Sequence, residues 1–134
     1  MALITARVAT RLPAQDMDRA RRWYSDNLGL DPVEERDGGL RYVVGDGEFS
    51  LFLSSGASVG EFTQLAFTVL DIAAEVAELT QRGVVFEEYN EPGLATSHSV
   101  ARVEGNYPSK GRAELASWFR DSEGNLLGLG QSIP

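Results

Sequence analysis

Residues 16–30 read DMDRARRWYSDNLGL, and this stretch decides the fold. Its apolar residues recur at spacings of three and four, which is typical of one face of an amphipathic helix: Met17, Ala20, Tyr24 and Leu28. Asp16 precedes the first of them and fits an N-cap. Gly29 follows the last and can adopt the left-handed conformation that ends a helix. The stretch therefore predicts one capped helix whose apolar face packs on a core.

The same order returns in the second half of the chain. Asp71 lies 55 residues after Asp16, and Gly83 lies 54 residues after Gly29. Between them the apolar positions again have helical spacing: Ile72, Val76 and Leu79. One structural unit is therefore predicted to occur twice.

Strands are predicted around both helices from alternating apolar residues and from glycine-containing turns. In the first half they cover residues 3–12, where Pro13 ends the strand, and then 30–35, 40–44 and 48–53. In the second half they cover residues 64–70, 84–89, 113–120 and 126–131. Residues 54–60 form a linker, and residues 90–110 are predicted as mostly loop, with a short strand at 100–103.

Each half thus has the order strand, helix and three strands, and one helix cannot cover both sides of its sheet. Two such sheets placed together solve this problem and leave a shared cavity, which is a common kind of ligand site. The predicted class is α+β, with two βαβββ modules that form paired sheets around a concave cavity. We expect one domain over residues 1–134, with modules at 1–56 and 61–134.

Composition excludes several classes of protein. Hydrophobic residues make up 43% and charged residues 24% of the 134 residues, which argues against disorder. The chain has no Cys, so disulfide scaffolds, thiolate metal sites and thiol nucleophiles are excluded. A net charge of -8 argues against nucleic acid as a partner and favours cationic ligands. No leader segment and no apolar run of about 18 residues is present, so a cytoplasmic protein that does not span a membrane is expected.

Three segments carry a resemblance to a known family. Residues 16–24, followed by 28–30, resemble the first module of the vicinal oxygen chelate superfamily, which includes glyoxalase, bleomycin-resistance and extradiol dioxygenase proteins. Residues 67–71 with Gly83 and Val84 resemble the opening of its second module, and residues 116–127 resemble its closing hairpin with an Asp-x-x-Gly-Asn turn. The resemblance implies paired βαβββ modules around a cavity, commonly in a homodimer.

Enzymes of this family commonly hold a divalent ion with His and Glu side chains, and the matching positions here lack such ligands. They fall near Arg7 and Leu51 in the first module and on Gln64 and Gly128 in the second. A guanidinium carries only hydrogen-bond donors, and leucine and glycine offer no ligating group. The amide oxygen of Gln64 is a poor sole anchor for a cation. No metal and no cofactor is therefore expected.

Without a metal, the cavity still needs a lining. Strand parity places Arg11, Ala66 and Thr68 toward it, with small residues as a floor and aromatic residues as walls. Charged or polar side chains would orient a planar or amphipathic organic ligand. The predicted ligand-binding residues are Arg7, Ala9, Phe52, Gln64, Tyr89, Tyr107, Glu114, Trp118 and Gly128.

These observations favour a metal-independent binder that shields a small organic molecule, aromatic or cationic, without turnover, similar to the drug-sequestering branch of the family. One alternative is a divalent-metal lyase or dioxygenase with divergent ligands such as Glu114, His98 and Gln64. A second is a non-catalytic interaction or regulatory protein with a vestigial cavity. Sequence alone names neither the ligand nor any catalytic residue.

Overall fold

The computed structural model describes residues 3–105 and 111–134. After a 3-10 turn at Leu3–Thr5, the chain forms two helices and ten strands in the described residues. The strands are β1 (Thr10–Ala14), β2 (Glu34–Arg36), β3 (Gly39–Val44), β4 (Gly47–Leu53), β5 (Leu65–Thr68), β6 (Asn90–Glu91), β7 (Leu94–Ser97), β8 (Val100–Glu104), β9 (Ala113–Arg120) and β10 (Leu126–Ile133). The helices are α1 (Met17–Trp23), which continues as a π-helical turn at Tyr24–Leu28, and α2 (Ile72–Gln81).

The strands form two sheets with matching topology. The four-stranded sheet has the order β1-β4-β3-β2, and the six-stranded sheet has the order β5-β10-β9-β8-β7-β6. In each sheet the first strand of its half lies at an edge and runs parallel to the last strand, β1 beside β4 and β5 beside β10. This is the α+β arrangement of two sheets that the sequence predicts.

Both helices begin where the sequence predicts. The Asp16 carboxylate accepts a hydrogen bond from the Arg19 amide at 2.9 Å, and the Asp71 carboxylate accepts one from the Ala74 amide at 3.1 Å. Each bond satisfies an amide of the first turn that has no partner within its helix. Gly29 ends the first helical segment with φ of 68°. No helix of the described residues is both long enough and apolar enough to cross a membrane.

The two sheets and both helices share one apolar core. The Tyr24 ring packs on Tyr42 and Phe49, with ring centroids 5.5 and 5.8 Å apart. On the other sheet, Trp23 stacks on Phe119 at 6.2 Å, so residues of the first helical segment contact both halves of the chain. The opposite side of each sheet is consequently left for other contacts.

The first strand is shorter than the alternation predicts, and it is displaced along the chain. The prediction covered residues 3–12, whereas pairing with β4 starts at Thr10 and extends to Ala14. Pro13 lies inside the strand rather than ending it. A proline is tolerated there because β1 is an edge strand and one side of its backbone needs no ladder donor.

The region after α2 also differs from the prediction. Residues 84–89 form no strand, although an isolated bridge joins Phe86 to Phe119. Residues 90–110 were predicted as mostly loop with a short strand at 100–103. That strand is present as β8, and residues 90–97 form two further strands, β6 and β7. The turn between β7 and β8 consists of His98 and Ser99 with φ of 52° and 69°. Glycine or asparagine normally marks such a turn, so this hairpin carries no recognisable sequence pattern.

Candidate functional site

Several predicted site residues share the side of the six-stranded sheet that faces away from the core, which we call the outer face. Phe119, Leu127 and Leu129 point into the core, so their strand neighbours point the other way. The register places Gly128 opposite Trp118 and Gly130 opposite Ala116. Ala66 pairs with Gly128 on the other side of β10. The outer face comprises Ala66, Glu114, Ala116, Trp118, Gly128 and Gly130.

An aromatic pair forms one wall of the outer face. The rings of Tyr89 and Trp118 meet edge to face, with centroids 5.5 Å apart and an interplanar angle of 80°. The indole Nε1 of Trp118 donates a hydrogen bond to the Thr63 hydroxyl at 3.1 Å. Partial burial raises the pKa of the Tyr89 phenol, which therefore stays neutral at physiological pH. The wall is thus an uncharged, oriented stacking surface.

Two glycines make the floor of the outer face. A Cβ atom placed on Gly128 would lie 3.4 Å from the Thr63 methyl group and 3.7 Å from the Ala66 side chain. A Cβ atom on Gly130 would lie 3.0 Å from the Glu114 carboxyl carbon. The Glu114 carboxylate therefore rests on the backbone of Gly130, where it is a negative group on the same face as the aromatic wall.

Gln64 also lies near this face, but its amide is engaged within the protein. Its Oε1 accepts hydrogen bonds from the Ser58 hydroxyl at 2.9 Å and from the Leu126 amide at 3.0 Å. Its Nε2 donates to Asn125 Oδ1 at 3.0 Å. These bonds fasten the linker to the start of β10, so the oxygen that could have contacted a ligand or cation already has two donors.

The turn between β9 and β10 holds a buried polar network whose contacts no pattern in the sequence predicted. Asn125 is fully buried, and its Nδ2 donates to the Pro13 carbonyl at 3.0 Å and to Asp121 Oδ2 at 2.8 Å. Asp121 Oδ2 also accepts from the Tyr24 hydroxyl at 2.6 Å. Burial and the Asp121 carboxylate raise the pKa of Tyr24 well above its usual value. Through Gln64, this network reaches the edge of the outer face.

Glu123 in the same turn clamps the start of α1. Its carboxylate accepts from the amides of Gln15 and Asp16 at 3.0 and 3.1 Å, and from two guanidinium nitrogens of Arg19 at 2.8 and 2.9 Å. Burial alone would raise the pKa of Glu123. The hydrogen bonds from Arg19, the Asp16 amide and the Ser122 hydroxyl outweigh burial and lower its pKa to about 2.

The remaining predicted residues lie elsewhere. Arg7 and Ala9 are exposed in the segment before β1. Phe52 lies on the four-stranded sheet, in a separate groove of about 310 Å³ that Arg11 and Arg41 also line. Tyr107 falls outside the described residues. The structure therefore brings together Tyr89, Trp118 and Gly128, with Glu114 farther along the same face. It separates Arg7, Ala9 and Phe52 from these residues.

No group of three or more His, Asp or Glu side chains within residues 3–105 and 111–134 is arranged to hold a metal ion. His98 sits in the turn between β7 and β8, beside Glu88. Hydrogen bonds from the Ser99 and Thr96 hydroxyls lower the pKa of Glu88. Glu88 thus stabilises the β7–β8 hairpin, because its carboxylate accepts hydrogen bonds from the Thr96 and Ser99 hydroxyls.

Comparison with known proteins gives one family. The model of the Glyoxalase/Bleomycin resistance protein/Dioxygenase superfamily matches residues 6–129. No curated protein matches the chain.

Three solved structures illustrate the likeness. A glyoxalase/bleomycin resistance protein/dioxygenase from Alicyclobacillus acidocaldarius is 16% identical, with 95% of this chain and 91% of that chain covered and a TM-score of 0.70. TnmS3, an antibiotic binding protein from Streptomyces sp. CB03234, is 22% identical, with 93% of both chains covered and a TM-score of 0.59. A bleomycin-binding protein complexed with bleomycin is 19% identical, with 95% and 98% covered and a TM-score of 0.65. At these identities the likeness to each structure shows the fold alone.

Proposed function

Because the chain belongs to the Glyoxalase/Bleomycin resistance protein/Dioxygenase superfamily, we propose that it binds a small organic molecule without a metal ion and without turnover. The observation that carries this proposal is the outer face, where the edge-to-face pair of Tyr89 and Trp118 stands beside a glycine floor. Two structural neighbours that are named for binding an antibiotic support the same kind of activity.

The chemistry of the outer face indicates what its ligand would be. A planar aromatic group could stack on Trp118 and lie against the floor at Gly128, beside the Thr63 methyl group and the Ala66 side chain. The Glu114 carboxylate would then attract a positive group on the ligand. An aromatic cation of low molecular weight is accordingly the proposed class. Tyr107 stays a proposed wall residue, and the cytoplasmic location and the homodimer stay predictions.

A metal-dependent lyase or dioxygenase is the competing function, and metal analysis separates the two. Protein purified without chelator should contain far less than one equivalent of any divalent ion, and chelation should leave ligand binding unchanged. A tightly bound stoichiometric ion would overturn the proposed metal independence.

Filling the floor at Gly128 should weaken ligand binding at least tenfold. In Gly128→Trp, the new side chain would occupy the space over the floor beside Thr63 and Ala66. We expect affinity for proflavine, a planar aromatic cation, or for bleomycin to fall at least tenfold, about 1.4 kcal/mol. Isothermal titration calorimetry measures the dissociation constant of each probe. Gly56→Trp is the matched control, because nothing lies within 4 Å of a Cβ atom at Gly56.

Since Gly128→Trp can also strain β10, Trp118→Leu provides a second test that leaves the floor intact. It removes the stacking surface and should likewise lower affinity at least tenfold, with the melting temperature measured alongside. Unchanged affinity in both variants, with both folded, would place the ligand elsewhere or leave the outer face without a ligand.

Removing the charge should affect only cationic ligands. Glu114→Gln keeps the side-chain size but removes the negative charge near Gly130, so proflavine should bind several-fold more weakly. A neutral aromatic probe such as naphthol should bind with unchanged affinity. Equal losses for both probes would indicate that Glu114 acts through packing rather than through charge.

A further inference from the structure

The groove on the four-stranded sheet has the opposite charge to the outer face. Its volume is about 310 Å³, and its described lining residues include three arginines and one acidic residue: Arg11, Arg36, Arg41 and Glu34. The whole chain has 12 Lys and Arg against 20 Asp and Glu. Three of these 12 basic residues therefore line one groove of an acidic protein. We call it the arginine groove.

Strand register brings two of the arginines to one row of this sheet. The strand neighbours of the row point into the core, so the row itself faces away from it: Leu12, Leu40 and Leu51. Arg11 on β1 lies opposite Ser50 on β4, and Ser50 lies opposite Arg41 on β3. Neighbouring strands are about 5 Å apart, so the two long side chains leave the sheet on either side of the Ser50 hydroxyl.

The guanidinium groups keep hydrogen-bond donors for a ligand. In the described part of the chain the exposed Arg11 side chain has no hydrogen bond and no ion pair. Arg41 donates from Nε to the Glu48 carboxylate at 2.7 Å. Arg36 donates from one Nη nitrogen to the Glu34 carboxylate at 2.9 Å. Because a guanidinium carries five N–H donors, each of these arginines still offers donors to an anion.

Phe52 gives the arginine groove an apolar wall. Its side chain is 40% exposed, and it lies opposite Gly39 on β3 and Pro13 on β1. A Cβ atom on Gly39 would lie 2.4 Å from the Leu51 carbonyl oxygen, so glycine is required there. The position opposite the ring on β3 consequently carries no side chain, and the ring is open to a flat apolar group.

The repeat within the chain relates the arginine groove to the outer face. Arg11 precedes the helix cap Asp16 by five residues, just as Ala66 precedes Asp71 by five. The rows of opposed residues that start there correspond in the two sheets: Arg11, Ser50 and Arg41 in one, and Ala66, Gly128 and Trp118 in the other. The two modules thus present faces with matching strand register and different chemistry, one basic and one aromatic.

We propose that the arginine groove binds an aromatic oxyanion, a small molecule that carries a carboxylate or a phosphate group on an aromatic ring. Guanidinium groups bind both kinds of oxyanion through paired, charge-assisted hydrogen bonds. The oxyanion would lie between Arg11 and Arg41, above the Ser50 hydroxyl, and the ring would pack on Phe52. The inference goes beyond the proposed function and does not depend on it, because the groove shares no described lining residue with the outer face.

Calorimetric titration with naphthoate and with naphthyl phosphate tests the proposal on the full chain. Wild type should bind at least one of the two anions with a dissociation constant below about 1 mM, and the tighter of the two identifies the preferred oxyanion. Arg11→Gln removes the guanidinium that has no partner and should weaken this binding at least tenfold. Arg22→Gln, on the exposed side of α1, is the matched control and should bind like wild type. Melting temperatures establish that both variants are folded.

The same probes separate the arginine groove from the outer face. Phe52→Leu should weaken binding of the aromatic anion several-fold, whereas Trp118→Leu should leave it unchanged. Equal affinity of wild type and Arg11→Gln for both anions would overturn the proposal. So would a loss of anion binding in Trp118→Leu, or the lack of saturable binding of either anion at about 1 mM. If wild type binds the anion but not proflavine, that result would count against the outer face alone.

Discussion

Replacement of Asn125 by Asp is expected to lower the free energy of unfolding by about 3–5 kcal/mol. The substitution keeps the size of the side chain but removes the Nδ2 donor that lies 3.0 Å from the Pro13 carbonyl and 2.8 Å from Asp121 Oδ2. A second carboxylate would then face Asp121 in a site with no access to water. A small domain has about 5–15 kcal/mol of stability in total, so this single change approaches the unfolding threshold.

Chemical denaturation at pH 7 measures the effect of Asn125→Asp, and Asn90→Asp is its matched control. Asn90 is exposed in β6, so the same exchange there should change stability by less than about 0.5 kcal/mol. At acidic pH the new carboxyl group of Asn125→Asp takes up a proton and regains a donor, so its deficit relative to wild type should shrink. A deficit below about 1 kcal/mol at pH 7 would contradict the role of this network.

The second large effect is a loss of stability in acid that depends on Glu123. Its pKa is about 2 in the folded chain against an ordinary value of 4.5. A carboxyl group with a lowered folded pKa stabilises the fold above its unfolded pKa, and this stabilisation is lost as the pH falls toward the folded pKa. Because Arg19 is about half exposed and solvent screens it, we expect about 2–3 kcal/mol from Glu123 at neutral pH.

Glu123→Gln should therefore unfold about 2–3 kcal/mol more easily than wild type at pH 7, and the two proteins should converge between pH 4.5 and 2. Urea denaturation at a series of pH values measures this difference. Glu34→Gln is the control, since Glu34 pairs with Arg36 on the surface, where such pairs contribute less than about 1 kcal/mol. A difference that stays constant across this pH range would show that Glu123 acts by packing instead.

Much of the fold was predictable because local chemistry determines it. Asp16 and Asp71 each precede apolar residues at helical spacing, and each caps the helix that follows it. The hairpin of β9 and β10 follows from two alternating runs and one turn. The strands at residues 90–91 and 94–97 were missed because they have little apolar alternation and the hairpin turns at His98 and Ser99, whereas the short strand predicted at 100–103 is present as β8. The predicted strand at 84–89 was wrong because only Phe86 bridges to its neighbour.

The candidate site was partly predictable for a related reason. Strand parity is a local property, so Trp118, Glu114 and Gly128 are placed correctly on one face of one sheet. Gln64 has the predicted position, but its partners Ser58 and Asn125 are distant in sequence, so its hydrogen bonds were not foreseeable. Arg7 and Ala9 were assigned to a paired strand, but pairing with β4 starts only at Thr10, so this assignment was wrong.

The contacts of the turn at residues 121–125 also determine when this protein can complete its folding. Asn125 bonds to Pro13 across 112 positions, and Glu123 bonds to Gln15 across 108. During translation the amino-terminal half leaves the ribosome long before the residues that lock it in place, and domains fold as units when their parts are available. The start of the first helix therefore lacks its hydrogen bonds to Glu123 until almost the whole polypeptide has been synthesised. In that interval Trp23 also lacks Phe119, on which it stacks in the folded chain.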